Sequence, residues 1–162
     1  MVKRIFDILF SIIGLIFFSP CFLLVSILIK ADSKGPVFYL QERVGRNGLL
    51  FKIIKFRSMI TDQNHNSTIT SANDNRITTI GKIIRKLKID ELPELLNILI
   101  GNMSFVGPRP DVQGYADLLK GEDRLILKLK PGITSLASLK YINEEAILAS
   151  VEDPISYNKE VI

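Results

Sequence analysis

Residues 8–29 form an uncharged run of twenty-two residues, interrupted near its middle by Ser19-Pro20. A helix needs roughly 20 apolar residues to cross a bilayer, so the run is long enough to enter one and predicts attachment to a membrane. Proline lacks a backbone donor and clashes with the carbonyl four residues earlier, which kinks a helix or ends it. A bend at Ser19-Pro20 would turn the segment back toward the side it came from. The flanking charges agree: Lys3 and Arg4 precede the run, and Lys30 and Lys34 follow it. The bias that orients a spanning helix is therefore nearly balanced. A straight spanning helix is the competing reading. A cleaved signal peptide fits less well, because the apolar stretch exceeds the usual ~7–15 residues and no clean small-x-small site precedes Lys30.

The expected division is a re-entrant membrane anchor over residues 1–31 and one compact domain over 32–162, within the usual single-domain range. The net charge of +4 suits an anionic partner, and beside an apolar anchor that means anionic lipid head groups or phosphorylated small molecules. Cys21 is the single cysteine and His65 the single histidine. A disulfide within the chain and a cysteine metal cluster are excluded, and histidine-dependent triads and metal sites nearly so. Neither a Walker loop nor a Gly-x-Gly-x-x-Gly fingerprint is present, so phosphates would have to be held by lysine, arginine and helix N-termini.

The pattern after the anchor predicts an α+β domain, mostly helical, with a small β-hairpin and amphipathic surface helices. Residues 37–40 and 50–54 are rich in β-branched and aromatic side chains, with Gly45-Arg46-Asn47-Gly48 as the turn between them. Residues 61–75 are polar and lack periodicity, which predicts a mobile surface loop. Residues 77–87 carry Ile77, Ile80, Ile83, Ile84 and Leu87 at helical spacing, with Lys82, Arg85, Lys86 and the following Lys88 alongside. That predicts a basic amphipathic helix, either lying on a membrane or half-buried in the domain. A second helix is expected over 90–100, with Pro93 in its first turn and Gly101 at its end. Residues 107–110 predict a rigid loop, residues 115–129 a helix, and residues 143–162 a partly helical tail.

The chemistry must then come from carboxylates and cations, and Asp90-Glu91 is the candidate centre. Two readings stand: an N-cap with an acidic first turn, or a pair that divides labour, one carboxylate toward a phosphate and the other toward a divalent cation. Adjacent helical residues point roughly 100° apart, which permits that division. A carboxylate at a helix N-terminus is also expected to stay ionised, as a nucleophile must. Arg109 stands between Pro108 and Pro110, which restrict its backbone and favour a fixed guanidinium suited to phosphate oxygens; its other reading is a helix C-cap. Lys55 and Arg57 add charge at the end of the second strand, or form a solvated strand edge.

Seven motifs in order resemble the monotopic phosphoglycosyl transferases, bacterial sugar transferases that start glycan assembly on a polyprenol carrier. They are Lys3-Arg4-Ile5-Phe6-Asp7, Ser19-Pro20, Gln41-Glu42-Arg43-Val44-Gly45, Lys55-Phe56-Arg57-Ser58-Met59, Lys88-Ile89-Asp90-Glu91-Leu92-Pro93-Glu94-Leu95, Gly107-Pro108-Arg109-Pro110 and Lys130-Pro131-Gly132-Ile133-Thr134. The resemblance implies a re-entrant anchor broken at Ser19-Pro20, at the cytoplasmic face of the bacterial inner membrane. It implies a ping-pong reaction in which Asp90 takes the phosphosugar of a UDP-sugar, releases UMP and passes the phosphosugar to polyprenol phosphate. Glu91 would then be the Mg²⁺ ligand, Lys55, Arg57, Arg109 and Lys140 would contact substrate, and Arg85 would support the site.

Two positions depart from the family pattern, Ser135 where glycine is common and Ile142 where a cation is common, and small relatives continue beyond the position of Ile162. Two other classes compete with an enzyme. A membrane-anchored basic domain that binds lipid or protein needs Asp90-Glu91 only as a cap. A nucleic-acid-binding regulator is disfavoured because aromatic and basic interleaving is lacking, so no nucleic-acid partner is expected. Exposed amphipathic helices predict self-association.

Overall fold

The computed structural model describes residues 2–60, 75–135 and 139–140. The loop expected over 61–75, except Asn75, and the tail expected over 143–162 lie outside the described residues, as does Ile142. The stretch expected to form the anchor is two helices, α1 (Val2–Phe17) and α2 (Ser19–Asp32), meeting at 59°. Among the described residues no single helix is long and apolar enough to cross a membrane, though the bent pair together is. Pro20 sits in the first turn of α2, where its missing N–H costs no helical bond. Ser19 Oγ donates to Ile16 O at 2.8 Å, using a carbonyl at the end of α1.

One side of the pair presents exposed apolar residues such as Leu9, Ile13, Ile16, Leu23 and Ile27. The other side is built into the domain. Asp7 is buried on α1 and accepts from Ser104 Oγ at 3.0 Å and from Phe105 N at 3.3 Å. Val25 and Ile29 on α2 form a core cluster with Phe56 and Ile84. The core thus crosses the boundary expected at residue 31.

The hairpin pairs β1 (Phe38–Val44) with β2 (Leu50–Phe56), antiparallel, from Phe38 opposite Phe56 to Val44 opposite Leu50. Both strands are longer than the sequence suggested, because Phe56 is a core residue and Val44 is pinned by a bond to Asp111 O. Helix α3 (Thr79–Lys86) starts two residues late within the expected span, since Thr78 caps it by accepting from Gly81 N at 2.9 Å. Asp32, the last residue of α2, accepts from Ile80 N at 2.9 Å at the same end. The apolar stripe of α3 is split: Ile84 is buried, while Ile83 and Leu87 are exposed.

Two expectations need correction. The helix expected over 90–100 begins only at Glu94 as α4 (Glu94–Ile100), capped by Pro93. Lys88 takes a left-handed φ of 55°, and Ile89–Glu91 form a 3-10 turn whose bonds run three residues back, so Asp90 and Glu91 precede the α-helix. The helix expected over 115–129 is instead two 3-10 segments, Ala116–Leu118 and Asp123–Lys128, separated by Gly121 at φ 58°. Counting such turns, about half of the described residues are helical rather than most of them. The sequence reading also missed a parallel pair, β3 (Ser104–Val106) with β4 (Gly132–Thr134). Its backbones approach so closely that a Cβ on Gly132 would lie 2.2 Å from Gly107 N, a contact only glycine permits.

Asn97 joins α4 to the hairpin. Its Oδ1 accepts from Ile54 N at 2.9 Å and its Nδ2 donates to Lys52 O at 2.7 Å, with the side chain fully buried. Asn97→Ala strands both backbone groups, so it is expected to destabilise the protein by about 2–4 kcal/mol. Chemical denaturation of the detergent-held protein checks this; a loss under about 0.5 kcal/mol would mean that the clamp is dispensable.

Candidate active site

The Asn97 clamp fixes β2 against α4 next to Lys55, and Lys55 reaches the acidic turn. Its Nζ lies 3.0 Å from Glu91 Oε1 and 3.2 Å from Glu94 Oε1. Asp90 is buried beside them, and among the described residues its Oδ1 has no hydrogen-bond partner. Three carboxylates within five residues therefore surround one ammonium. That is an excess of negative charge in a partly dry place, and it sets the protonation of each group.

Burial pushes Asp90 up to about 6; Lys55, Arg85 and Lys88 oppose the shift, and Glu91 adds to it. Burial likewise pushes Glu94 up to about 7 against the pull of Lys55. Glu91 goes the other way: burial works to raise it, but Lys55, through its field and its hydrogen bond, holds it below the usual carboxylate value. Burial works to lower Lys55, yet Glu94 and Glu91 hold its ammonium above the ordinary value. A group titrating near 6 is still about nine-tenths ionised at pH 7. Asp90 thus offers an anionic oxygen that no donor among the described residues occupies. The sequence led to the expectation that a helix end keeps Asp90 ionised; instead Asp90 caps no helix, and burial raises its pKa.

Other cations border the cluster. The field of Arg85 reaches Asp90, and its Nη1 donates to Met59 Sδ at 3.8 Å. Arg109 is exposed and its field reaches Glu91. Its loop is held on both flanks: Arg43 Nη1 donates to Pro110 O at 3.3 Å, and Gly132 N donates to Pro108 O at 2.9 Å.

Arg57 is not brought to this site. Its buried guanidinium donates to Ser33 O at 2.7 Å and Ser33 Oγ at 2.9 Å, and also to Lys34 O, closing the C-terminal end of α2. Alternation along β2 sends Lys55 and Arg57 to the same side, but the strand ends at Phe56, and beyond it Arg57 follows the anchor. Lys140 is exposed in the short described stretch 139–140. Glu94 is the participant that sequence reasoning missed. A signal for it existed: Glu94, Asn97 and Ile98 share one helical face, and all three are buried.

Among the described residues no group of three Asp, Glu, His or Cys side chains could hold a metal ion. Magnesium rarely needs such a cage, being held by one or two carboxylates with water and substrate phosphates. Glu91 fits that mode: it is held ionised, and its side chain is one-third exposed (32%).

The geometry defines a class first: an α+β domain with a buried acidic site bordered by cations, built onto a bent apolar helix pair. The model of the family described as bacterial sugar transferase matches residues 1–161, and the chain belongs to that family. It is 37% identical over 173 residues to the exopolysaccharide production protein ExoY of Rhizobium meliloti (strain 1021), an alignment covering 97% of this chain and 76% of that protein. It is 42% identical over 142 residues to the UDP-N-acetylgalactosamine-undecaprenyl-phosphate N-acetylgalactosaminephosphotransferase of Aeromonas hydrophila, covering 85% of this chain and 34% of the other. It is 36% identical over 169 residues to the UDP-glucose:undecaprenyl-phosphate glucose-1-phosphate transferase of Escherichia coli (strain K12), covering 100% and 36%. The chain thus spans most of ExoY and about a third of the two larger relatives.

Proposed function

We propose that this protein transfers a phosphosugar from a UDP-sugar to undecaprenyl phosphate and releases UMP, an early step of exopolysaccharide synthesis. The observation that carries this reading is the buried Asp90 Oδ1, ionised at neutral pH and without a hydrogen-bond partner, in a site bordered by Lys55, Arg85 and Arg109. The names of the relatives supply the donor and acceptor classes.

In the first half-reaction an Asp90 carboxylate oxygen attacks the sugar-linked phosphorus. The bond from that phosphorus to the bridging oxygen breaks, and UMP leaves with the electron pair. The phosphosugar remains on Asp90 as an acyl phosphate. In the second half-reaction an oxygen of undecaprenyl phosphate attacks the same phosphorus, the bond to Asp90 breaks, and the sugar departs on a lipid diphosphate. Lys55 and Arg109 hold phosphate oxygens and offset the charge that develops on them, and Arg85 keeps Asp90 ionised. Glu91 would hold Mg²⁺, which when bound neutralises phosphate charge and favours departure of UMP. The two anchor helices form a re-entrant loop at the cytoplasmic face of the inner membrane, where a soluble nucleotide sugar and a lipid phosphate both arrive.

A two-step mechanism makes a prediction that needs no acceptor. Labelled UMP should exchange into the UDP-sugar when undecaprenyl phosphate is left out, and Asp90 should carry a phosphosugar adduct in the intact mass. Absence of both, with full transfer when the acceptor is added, would replace the covalent route with direct displacement. Removing divalent cations with a chelator is expected to stop UMP release, and added Mg²⁺ to restore it; unchanged release would discharge Glu91 from metal binding.

A further inference from the structure

Cations outside the acidic site gather at the opposite end of α4. Arg4 donates to Ile98 O and, at 2.7 Å, to Leu99 O. The β3–β4 pairing brings Lys130 to the same corner. A Cβ on Gly101 would lie 3.2 Å from Arg4 Nη2 and 3.5 Å from Lys130 Nζ, so the two heads stand within about 7 Å of each other and repel. Lys3 joins them by donating to Val106 O at 2.8 Å. Arg46 joins by donating to Lys128 O at 2.9 Å, two residues before Lys130. Burial, and then the fields of Arg4, Arg46 and Lys3, hold the Lys130 ammonium below its usual value. Asp7 opposes them, but it is buried and already engaged by Ser104 and Phe105. Like charges held this close are relieved by an anion from outside.

Exposed apolar residues adjoin these cations along the chain. Val2 neighbours Lys3, Ile100 precedes Gly101, Val106 receives the Lys3 bond, and Leu129 precedes Lys130; all four are exposed. A soluble anion would leave them in water, whereas a bilayer surface accepts apolar side chains and cationic heads together. The cluster also begins where the exposed apolar face of α1 begins.

We propose that Lys3, Arg4, Arg46 and Lys130 form a binding site for the phosphate head group of an anionic membrane phospholipid, with Val2, Ile100, Val106 and Leu129 entering the acyl boundary. The site rests on the reading that α1 and α2 enter the membrane, and it is distinct from the Asp90 cluster at the other end of α4.

The test titrates the protein in neutral detergent with phosphatidylglycerol and, separately, phosphatidylcholine, and reads bound lipid by native mass spectrometry. The parent is expected to prefer phosphatidylglycerol by about tenfold or more, and Arg46→Gln with Lys130→Gln to remove most of that preference. Salt should weaken the preference in the parent itself, a readout independent of how the variant folds. Equal binding of the two lipids, a preference unchanged in the double variant, or displacement of lipid by millimolar inorganic phosphate would each overturn the site. Flotation of the parent with phosphatidylcholine vesicles tests the anchor separately. If it does not float, the anchor and this site fall together; if it floats without lipid preference, the site alone falls.

Discussion

Asp90→Asn is expected to lower UMP release by about four orders of magnitude or more, while at pH 8 the protein unfolds no more readily than the parent. The second half of this result separates a nucleophile from a structural carboxylate. Asparagine keeps the shape, and Oδ1 has no hydrogen-bond partner to lose. A carboxyl whose folded pKa is raised favours folding most below its ordinary value and loses that contribution as pH rises through the folded one, here about 6. At pH 8 the ionised, buried Asp90 is therefore a burden on the order of 1–3 kcal/mol, and the neutral amide lifts it. Transfer by the parent should follow the opposite sign, falling about tenfold per unit as pH drops below about 6, because the protonated acid cannot attack. Urea unfolding at pH 5 and pH 8, beside UMP release, tests both halves. A variant that transfers normally would end the nucleophile assignment. One that is inactive but much less stable would return Asp90 to a structural role.

Lys55→Met should damage activity and fold together. Its ammonium is the shared partner of Glu91 and Glu94, and the Glu94 side chain is nearly inaccessible, at 4%. Removing one partner of a buried pair leaves the other charge unpaired, at about 3–5 kcal/mol when burial is complete. The Lys55 side chain is 25% exposed, so about 2–4 kcal/mol is expected here. The lost charge also raises Asp90 further, so residual activity should show its acid limb above pH 6. Adding Glu94→Gln to Lys55→Met should recover at least half of the lost stability without restoring transfer. A loss under about 1 kcal/mol, or no recovery in the double variant, would mean that Lys55 is held mainly by solvent.

Much of this was legible because local rules and tertiary structure agree. Ser19-Pro20 breaks the apolar run where a proline must, Asn47 and Gly48 turn the hairpin with positive φ, and Gly101 ends α4 with a left-handed cap. The errors fall where long-range contacts decide. Lys88 takes a left-handed φ that no propensity assigns to lysine, and this displaces Asp90 and Glu91 from the α-helix. Arg57 looked like a site cation because it neighbours Lys55 on alternate strand positions, but the C-terminal carbonyls of α2 claim it. Glu94 drew no reading from the sequence; only the fold shows its oxygen facing Lys55. The β3–β4 pair is two three-residue strands separated by twenty-five residues, too short for period-two alternation to register.

The seam between anchor and domain has a mechanical consequence. Val25 and Ile29 share a core with Phe56 and Ile84, Arg57 closes α2, Asp32 caps α3, and Asp7 holds β3. The helix pair is therefore a pedestal rather than a tether. On the proposed membrane reading, side-chain packing would set the elevation of Asp90 above the lipid and so the height at which an acceptor phosphate has to arrive. Shaving the pedestal to make a soluble enzyme would take part of the keystone with it.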